Sequence, residues 1–389
     1  MSSQNIPAKK DLDPYVLDLA QFNELCKQKT NEIDYPLAHS IEKNIPIYEG
    51  DDLRVSIDLN TGQNYKDEFS HILEKGPGII IIKNFFENKN DVDKMSQVFD
   101  DLLQKQGKGT GDHFAKEGAN GRIWNVFEKS ALHDSSTFIQ YYKNPLLDLV
   151  AQSWLGPNYQ VTTQLNVIYP NGKEQQPHRD FHLGFQENDE IKKYPLHIQK
   201  MSQHLTLQGG VAHVDIPLDS GPTQLLPFSH QYDLGYLAWR DPAFIEYFKE
   251  HHVQLPMEKG DAIFFNPALF HAGGENKTKN INRSVNLLQI SSAFSKTMET
   301  VDLYKIILNI YPRLLELYKN DLIEARDLDT ILTASCDAYS FPTNLDTDSP
   351  LGSMAPQTAK DLSHEALIQN WNYSKFKEKL LEHKIRRQS

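Results

Sequence analysis

The chain has 389 residues, enough for one large domain with appendages or for two domains of ordinary size. Hydrophobic residues make up 39% and charged residues 24%, which excludes a largely disordered chain. The net charge of −12 argues against a nucleic-acid-binding protein, because such proteins need a basic surface. Two cysteines, no signal-peptide core and no run of 18 apolar residues predict a protein without membrane spans, by default cytoplasmic.

The first third of the chain predicts an arm followed by helices and one buried strand. Residues 1–60 are polar, with an amphipathic helix over Leu17–Lys29, and are expected to pack as an arm on the core. A helix over Tyr65–Glu74 precedes Gly76–Phe86, where four consecutive isoleucines predict a fully buried strand. Apolar residues at helical spacing predict a further helix over Asp91–Gln106.

The next segment predicts a loop, a strand and a helix. Gly107–His113 lacks the ending of a phosphate-binding loop, so we expect a loop over a pocket instead. Arg122–Phe127 predicts a strand, and Pro145–Leu155 predicts a helix that Gly156-Pro157 ends.

The middle of the chain is rich in short strands separated by Gly, Pro and Asn turns, with no helices predicted between them. This pattern favours an antiparallel barrel or sandwich. The predicted strands are Thr162–Pro170, the segment around His178, His204–Leu218, Gly221–His230, Ala262–Asn266 and Ser284–Ser291. After about residue 300 the pattern becomes helical, so we divide the chain into an arm (1–60), a core domain (61–300) and a C-terminal helical extension (301–389).

His178 and Asp180 are the first candidate metal ligands. Side chains two residues apart on an extended strand project from the same face, about 6–7 Å apart along the chain. A third ligand must come from elsewhere, and His271, which follows an apolar strand, is the best candidate. Two histidines and one carboxylate with the other positions open is the arrangement of non-haem Fe(II) oxygenases.

A His-x-Asp pair also arises by chance, most often as a hydrogen-bonded surface pair. The chain holds a second one, His213 and Asp215, and His182 shares the predicted face of His178. Arg283, twelve residues after His271, adds weight to the metal hypothesis. A guanidinium binds a carboxylate through two parallel hydrogen bonds, as an oxygenase that uses 2-oxoglutarate requires for the far carboxylate.

These motifs together resemble the phytanoyl-CoA dioxygenase family of Fe(II)- and 2-oxoglutarate-dependent oxygenases. The resemblance covers roughly Gly76 to Ser292 and includes the helix Pro145–Leu155 and the segment Ser220–Tyr236. In the segment Gly260–Arg283, the matching residues are Gly260, Asp261, His271, Gly273, Asn276 and Arg283.

The resemblance implies a mainly β fold, a double-stranded β-helix (jelly-roll, cupin-like) core with N- and C-terminal helical layers. It implies His178, Asp180 and His271 as ligands of Fe(II), in preference to His213 and Asp215. Arg283 would bind the cosubstrate 2-oxoglutarate, and Gln164 matches a position that often reaches it.

Some residues depart from the family pattern. Phe228 stands where the family has Gly, and Gly273 stands where a Ser often contacts the cosubstrate. Gly209-Gly210 stand where some members carry Trp. The departures near the expected pocket bear on the substrate and not on the metal.

The activity implied is O2-dependent oxidation of an aliphatic C–H of a small organic molecule, with release of succinate and CO2. Substrate choice is expected to lie in the insertion Gln186–Gln203, the loop Gly107–Gly121 and the C-terminal helices. Arg122, Arg179, Trp239 and Arg240 are candidates for substrate contact, with ordinary packing or solvation as the alternative for each.

Three alternatives stay open on the sequence. A nucleic-acid demethylase is disfavoured, because Gln289 stands where those enzymes carry a second arginine. A metal-binding but non-catalytic barrel would act as a sensor or scaffold. A cupin-type dioxygenase without cosubstrate would leave Arg283 without a purpose. The sequence does not predict an oligomeric state.

Overall fold

The computed structural model describes residues 15–106, 120–350 and 352–388. The predicted loop Gly107–His113 lies outside the described residues. No helix in these ranges is both long and apolar enough to cross a membrane.

The strands form two sheets of unequal size. In chain order, the strands of the described residues are β1 (Ser40–Glu42), β2 (Ile45–Glu49), β3 (Ile79–Lys83), β4 (Asn120–Ile123), β5 (Gln160–Ile168), β6 (Thr206–Ala212), β7 (Gln224–Leu225), β8 (Ala262–Phe265), β9 (His271–Ala272) and β10 (Arg283–Ser291). The large sheet has the order β1-β2-β3-β8-β6-β10-β5-β4, and β7 pairs with β9 in the small sheet. All pairs are antiparallel except β2 with β3.

The two sheets enclose a cavity, and residues of both line it. The structure therefore has the predicted double-stranded β-helix core. Strand β3 shows how the core divides: Ile79 and Ile81 pack inside, whereas Ile80 and Ile82 pack against the helices on the outer face. Both faces of this strand are buried, as its run of isoleucines predicts.

Most helices pack on the outer face of the large sheet, whereas those that carry Phe22, Leu237 and Phe244 pack with Phe270 and Ala272 on the small-sheet side. Those of the described residues are α1 (Leu19–Cys26), α2 (Gly50–Asp58), α3 (Gly62–Glu74), α4 (Lys89–Gln106), α5 (Val126–His133), α6 (Ser135–Tyr142), α7 (Pro145–Leu155), α8 (Asn188–Ile191), α9 (Leu196–Ser202), α10 (Gly235–Ala238), α11 (Pro242–His251), α12 (Leu303–Lys319), α13 (Ala325–Ser335), α14 (Ala359–Ile368) and α15 (Tyr373–Arg387). Helix α7 has the predicted bounds: Asn144 caps its first turn, and Gly156 ends it at a positive φ of 73°.

Several predicted elements differ from the structure. The predicted strand Gly221–His230 is wrong beyond the two residues of β7, because a 3-10 turn follows at Ser229–Gln231. The predicted strand Arg122–Phe127 is wrong beyond Ile123, because Asn125 takes a left-handed conformation and starts α5. The segment around His178 forms a single β-bridge to His271 instead of a regular strand. The N-terminal arm contributes β1 and β2 to the large sheet. The division of the chain at residues 60 and 300 stays a prediction.

Candidate metal centre

Three side chains meet on the small-sheet side of the cavity. The Nε2 atom of His178 lies 3.6 Å from Oδ1 of Asp180, and Nε2 of His271 lies 3.4 Å from Oδ2. All three residues are buried, with exposed fractions of 6–8%. One ligand atom from each lies within 4.8 Å of the others, and this is the one such group in the described part of the chain.

Backbone pairing holds the two distant segments in register. The backbone N–H groups of His178 and His271 each donate to the carbonyl of the other residue, at 2.9 and 3.1 Å. Two residues further along, the N–H of Asp180 donates to the carbonyl of Pro267 at 3.1 Å. An extended chain paired at these points presents His178 and Asp180 on one face.

Each histidine is oriented by its own backbone neighbourhood. The Nδ1 atom of His178 lies 2.9 Å from the carbonyl of Gln176, and that of His271 lies 2.9 Å from the carbonyl of Leu269. Since a carbonyl oxygen only accepts, each Nδ1 carries the proton and each Nε2 presents a lone pair. This is the usual orientation of a metal-binding imidazole.

Asp180 is held as a carboxylate. Burial alone would raise its pKa, but the neighbouring His178 and His271 and the amide of Gln208 together hold the pKa well below the usual range. Burial also lowers the pKa of His178, which favours its neutral form. The cluster thus presents two imidazole rings and one carboxylate.

The donor set fits a divalent transition metal. Two lone pairs and a carboxylate converge without a hydrogen between them, and Oδ1 of Asp180 has no hydrogen-bond partner among the described residues. Acceptors in such an arrangement repel one another unless a cation lies among them. Nitrogen and carboxylate ligands suit first-row transition metals.

Arg283 faces the same cavity from the first position of β10. It is 6% exposed, and its Nη1 donates to the carbonyls of Ser220 and Gly274 at 3.0 and 2.9 Å. Burial lowers the pKa of Arg283 to about 10. No carboxylate among the described residues pairs with it, so its charge is directed at the cavity without an acidic partner.

Gln164 also lines the cavity, but its amide is already engaged. Its Nε2 donates to Oε2 of Glu299 at 3.1 Å and lies 3.3 Å from the sulfur of Met298. The sequence-based assignment of Gln164 to the cosubstrate therefore stays a prediction, and it requires the bond to Glu299 to open.

Other candidate residues lie elsewhere. Arg179 is buried away from the cluster, where its Nη2 donates to the carbonyls of Ser229 and Tyr232. His182 is outside the cluster, 3.4 Å from the hydroxyl of Thr206, and burial lowers its pKa to about 4. Arg122 lines the cavity above Trp124, whereas Arg240 stacks on Trp239 at 3.8 Å and bonds the carbonyl of Gly184.

The second His-x-Asp pair is structural. The ring nitrogens of His213 lie 2.8 Å from the hydroxyl of Ser96 and 2.9 Å from that of Tyr141, so neither is directed at a metal site. Asp215 accepts a hydrogen bond from the backbone N–H of Lys259.

Sequence reasoning missed Gln208, whose Nε2 donates to Oδ2 of Asp180. A signal was present: Thr206 and Gln208 lie two residues apart on β6, so one face of a buried strand carries polar side chains. It also missed Gln175, whose Oε1 accepts from the N–H of Gly273 at 2.8 Å beside Arg283.

Residues 75–285 match the family model described as phytanoyl-CoA dioxygenase (PhyH). Among curated proteins, "Dioxygenase trt7" of Aspergillus terreus is 24% identical over 220 residues, which cover 56% of this chain and 71% of that protein. "Phytanoyl-CoA dioxygenase, peroxisomal" of Rattus norvegicus is 23% identical over 229 residues, 54% of this chain and 63% of that protein. The match thus spans a little under two thirds of the rat protein.

Solved structures resemble the chain more distantly. The non-heme alpha ketoglutarate dependent carbocyclase SnoK from nogalamycin biosynthesis is 18% identical with a TM-score of 0.45, over 60% of this chain and 86% of that one. EctD from S. alaskensis with bound Fe is 17% identical with a TM-score of 0.44, over 59% and 78%.

Proposed function

The chain belongs to the phytanoyl-CoA dioxygenase family, and from this premise we propose that it is an Fe(II)- and 2-oxoglutarate-dependent dioxygenase that oxidises an aliphatic C–H of a small organic molecule. His178, Asp180 and His271 would hold Fe(II), which leaves three positions of a six-coordinate ion open. When bound, Fe(II) and 2-oxoglutarate use O2 to oxidise a C–H bond to C–OH, with release of succinate and CO2.

One observation carries the cosubstrate assignment: Arg283 is a buried cation without an acidic partner among the described residues, in the cavity that the metal cluster lines. A buried charge is costly unless it is paired. The carbonyls of Ser220 and Gly274 accept from Nη1 and leave the rest of the guanidinium for a ligand. A dicarboxylate would neutralise Arg283 with one end and reach the metal with the other.

The rest of the cavity supports a substrate with an apolar body. Ile263 and Phe265 of β8 and Val285 and Leu287 of β10 give it apolar walls beside the metal cluster. The aromatic rings of Trp124 and Phe185 and the thioether of Met298 add to the lining. A neutral or weakly polar aliphatic molecule matches this lining better than a highly charged one.

Succinate formation from 2-oxoglutarate, measured with added Fe(II) and ascorbate, tests the proposal. We expect slow release by the enzyme alone and stimulation by a substrate. The matched control is Asp180→Asn, which keeps the shape of the side chain but removes the charge. If the metal-loaded protein neither binds 2-oxoglutarate nor forms succinate above this control, the proposal is wrong and the alternative of a non-catalytic metal-binding scaffold is favoured.

A further inference from the structure

Gln208 lies at the point of the large sheet that faces the metal cluster. Strand β6 places it opposite Gln289 of β10 on one side and Phe265 of β8 on the other. It is 3% exposed and lines the cavity. The ring of Phe265 in turn contacts His271, with centroids 4.8 Å apart. Gln208 is therefore held by the sheet and directed at the cluster from the wall opposite the small sheet.

The two oxygens of Asp180 have different surroundings. Oδ2 lies 3.4 Å from Nε2 of His271 and also accepts a hydrogen bond from Nε2 of Gln208. Oδ1 has no hydrogen-bond partner among the described residues, although it is buried. Because a carboxylate only accepts hydrogen bonds, the side-chain amide of Gln208 must present its N–H₂ group to Asp180. The amide oxygen Oε1 of Gln208 has no hydrogen-bond partner among the described residues. Both oxygens thus face a ligand histidine, and only Oδ2 is also hydrogen-bonded to Gln208.

We propose that Gln208 is a positioning residue that makes Asp180 bind the metal through Oδ1 alone. The amide N–H is a donor and is no ligand for a cation, so it holds Oδ2 away from the ion. A carboxylate that chelated through both oxygens would fill a fourth position and leave two. The single-oxygen mode preserves the third open position, which 2-oxoglutarate and O2 together require. The inference rests on the proposed function for this last consequence.

The coordination of Asp180 in the wild-type protein is the primary test. A crystal structure loaded with Mn(II) should show one oxygen of Asp180 on the ion and the other on Nε2 of Gln208. Chelation through both oxygens would overturn the proposal, whatever the effect of any substitution. Wild-type protein that binds no Mn(II) at this cluster would overturn both this proposal and the proposed function.

Gln208→Met tests the consequence, because methionine has a similar length and no donor. We expect the variant to retain Mn(II), to show Asp180 bound through both oxygens, and to bind 2-oxoglutarate at least about tenfold more weakly, in line with the effect of outer hydrogen bonds at metal sites. Calorimetric titration of the Mn(II)-loaded proteins measures the affinity. Unchanged affinity together with single-oxygen binding in the variant would contradict the role.

Gln199→Met is the matched control. Gln199 is also a buried glutamine, but its Nε2 donates to the backbone carbonyls of Ile191 and Tyr194, and it is not part of the cavity lining. This variant loses the same group and should bind 2-oxoglutarate like the wild type. If wild-type protein loaded with Mn(II) fails to bind 2-oxoglutarate, the proposed function fails, while the coordination of Asp180 in the same crystals still decides the role of Gln208.

Discussion

Arg283 carries the strongest residue-scale argument for the cosubstrate. Its guanidinium is held by two backbone carbonyls, which fix its position but do not neutralise its charge. Burying a charge without a counter-charge costs stability, and an anionic ligand would offset that cost. Gly273 lies beside it: a Cβ added there would lie 3.5 Å from Nη2 of Arg283 and 2.9 Å from Oε1 of Gln175. The glycine thus keeps the approach to the guanidinium open.

Arg283→Gln should weaken the binding of 2-oxoglutarate about 10- to 100-fold, because charge-assisted hydrogen bonds contribute roughly 1.5–3 kcal/mol. Arg283→Lys should lose less, since it keeps the charge but not the fork of donors. Mn(II) affinity should stay within about twofold in both variants. Calorimetric titration with metal and then with cosubstrate measures the two affinities. Equal 2-oxoglutarate affinity in wild type and Arg283→Gln would refute the assignment.

His213→Gln separates the second His-x-Asp pair from the metal site. Both nitrogens of His213 are hydrogen-bonded, so the substitution should cost about 1–3 kcal/mol of unfolding free energy at pH 7.5. Burial lowers the pKa of His213 to about 3, whereas an unfolded histidine has a pKa of about 6.5. The unfolded state therefore binds the extra proton between these values, and the wild type loses stability as the pH falls below about 6.5.

Glutamine takes up no proton, so the stability gap between wild type and His213→Gln should narrow by about 2 kcal/mol at pH 5. Urea unfolding at the two pH values measures the gap. Metal stoichiometry should be unchanged in the variant. Loss of the metal in a folded His213→Gln protein would mean that the wrong pair was chosen as ligands.

At the scale of elements, local sequence decides most of what was predicted correctly. The isoleucine run of β3 and the Asn144 and Gly156 caps of α7 are strong local signals, and both elements are confirmed. The strands of the small sheet were predicted poorly, because β7 and β9 have two residues each and their pairing depends on distant partners. Likewise, a single left-handed Asn125 turns a predicted strand into the start of a helix.

The metal cluster was predictable only in part. The two-residue spacing of His178 and Asp180 and the apolar strand before His271 are visible in the sequence. The polar face of β6 is visible as well, but the contact of Gln208 with Asp180 is not, because it joins that strand to an irregular segment across the cavity. Tertiary contacts of this kind have no local signature. The engagement of Gln164 by Glu299 is hidden for the same reason.

Helix α10 packs against Arg179 and so clamps, or holds in place, the segment that carries the ligands His178 and Asp180. The guanidinium of Arg179, between His178 and Asp180 in sequence, passes directly under Gly235, where an added Cβ would lie 1.8 Å from its Cζ. The ring of Tyr236 also lies beside that guanidinium, 5.2 Å from its Cζ. The side chain of Arg179, which points away from the metal cluster, thus fixes the position of His178 and Asp180.

Gly235→Ala should therefore destabilise the protein by about 1–3 kcal/mol or more, as overpacking does, and weaken Mn(II) binding as well. Thermal unfolding and metal titration measure the two effects. Gly62→Ala is the control, since a Cβ there meets the end of the Leu149 side chain at 3.3 Å and the side chain of Ile57 at 3.8 Å. A Gly235→Ala protein as stable as this control would contradict the clamp.

At the scale of the whole molecule, the cavity is assembled from segments that lie far apart in sequence. The ligand segments at residues 178–180 and 271 belong to the small-sheet side, whereas Arg283 and Gln208 project from the large sheet. A helical layer packs on the outer face of that sheet and fixes it. A ligand that bridges the two sides should thus stabilise the fold as a unit, because it binds the native arrangement and not the unfolded chain.

This linkage gives an ordered prediction for thermal unfolding. Mn(II) at about 100 times its dissociation constant should add about 2.7 kcal/mol to the stability of the native state and raise the melting temperature. 2-Oxoglutarate should raise it further only when Mn(II) is present, because one end of the cosubstrate requires the ion. His271→Ala should respond to neither ligand, and Arg283→Gln should respond to Mn(II) but only weakly to 2-oxoglutarate. A wild-type response to 2-oxoglutarate that is the same with and without metal would show that cosubstrate and metal bind independently, and the bridging arrangement would then be wrong.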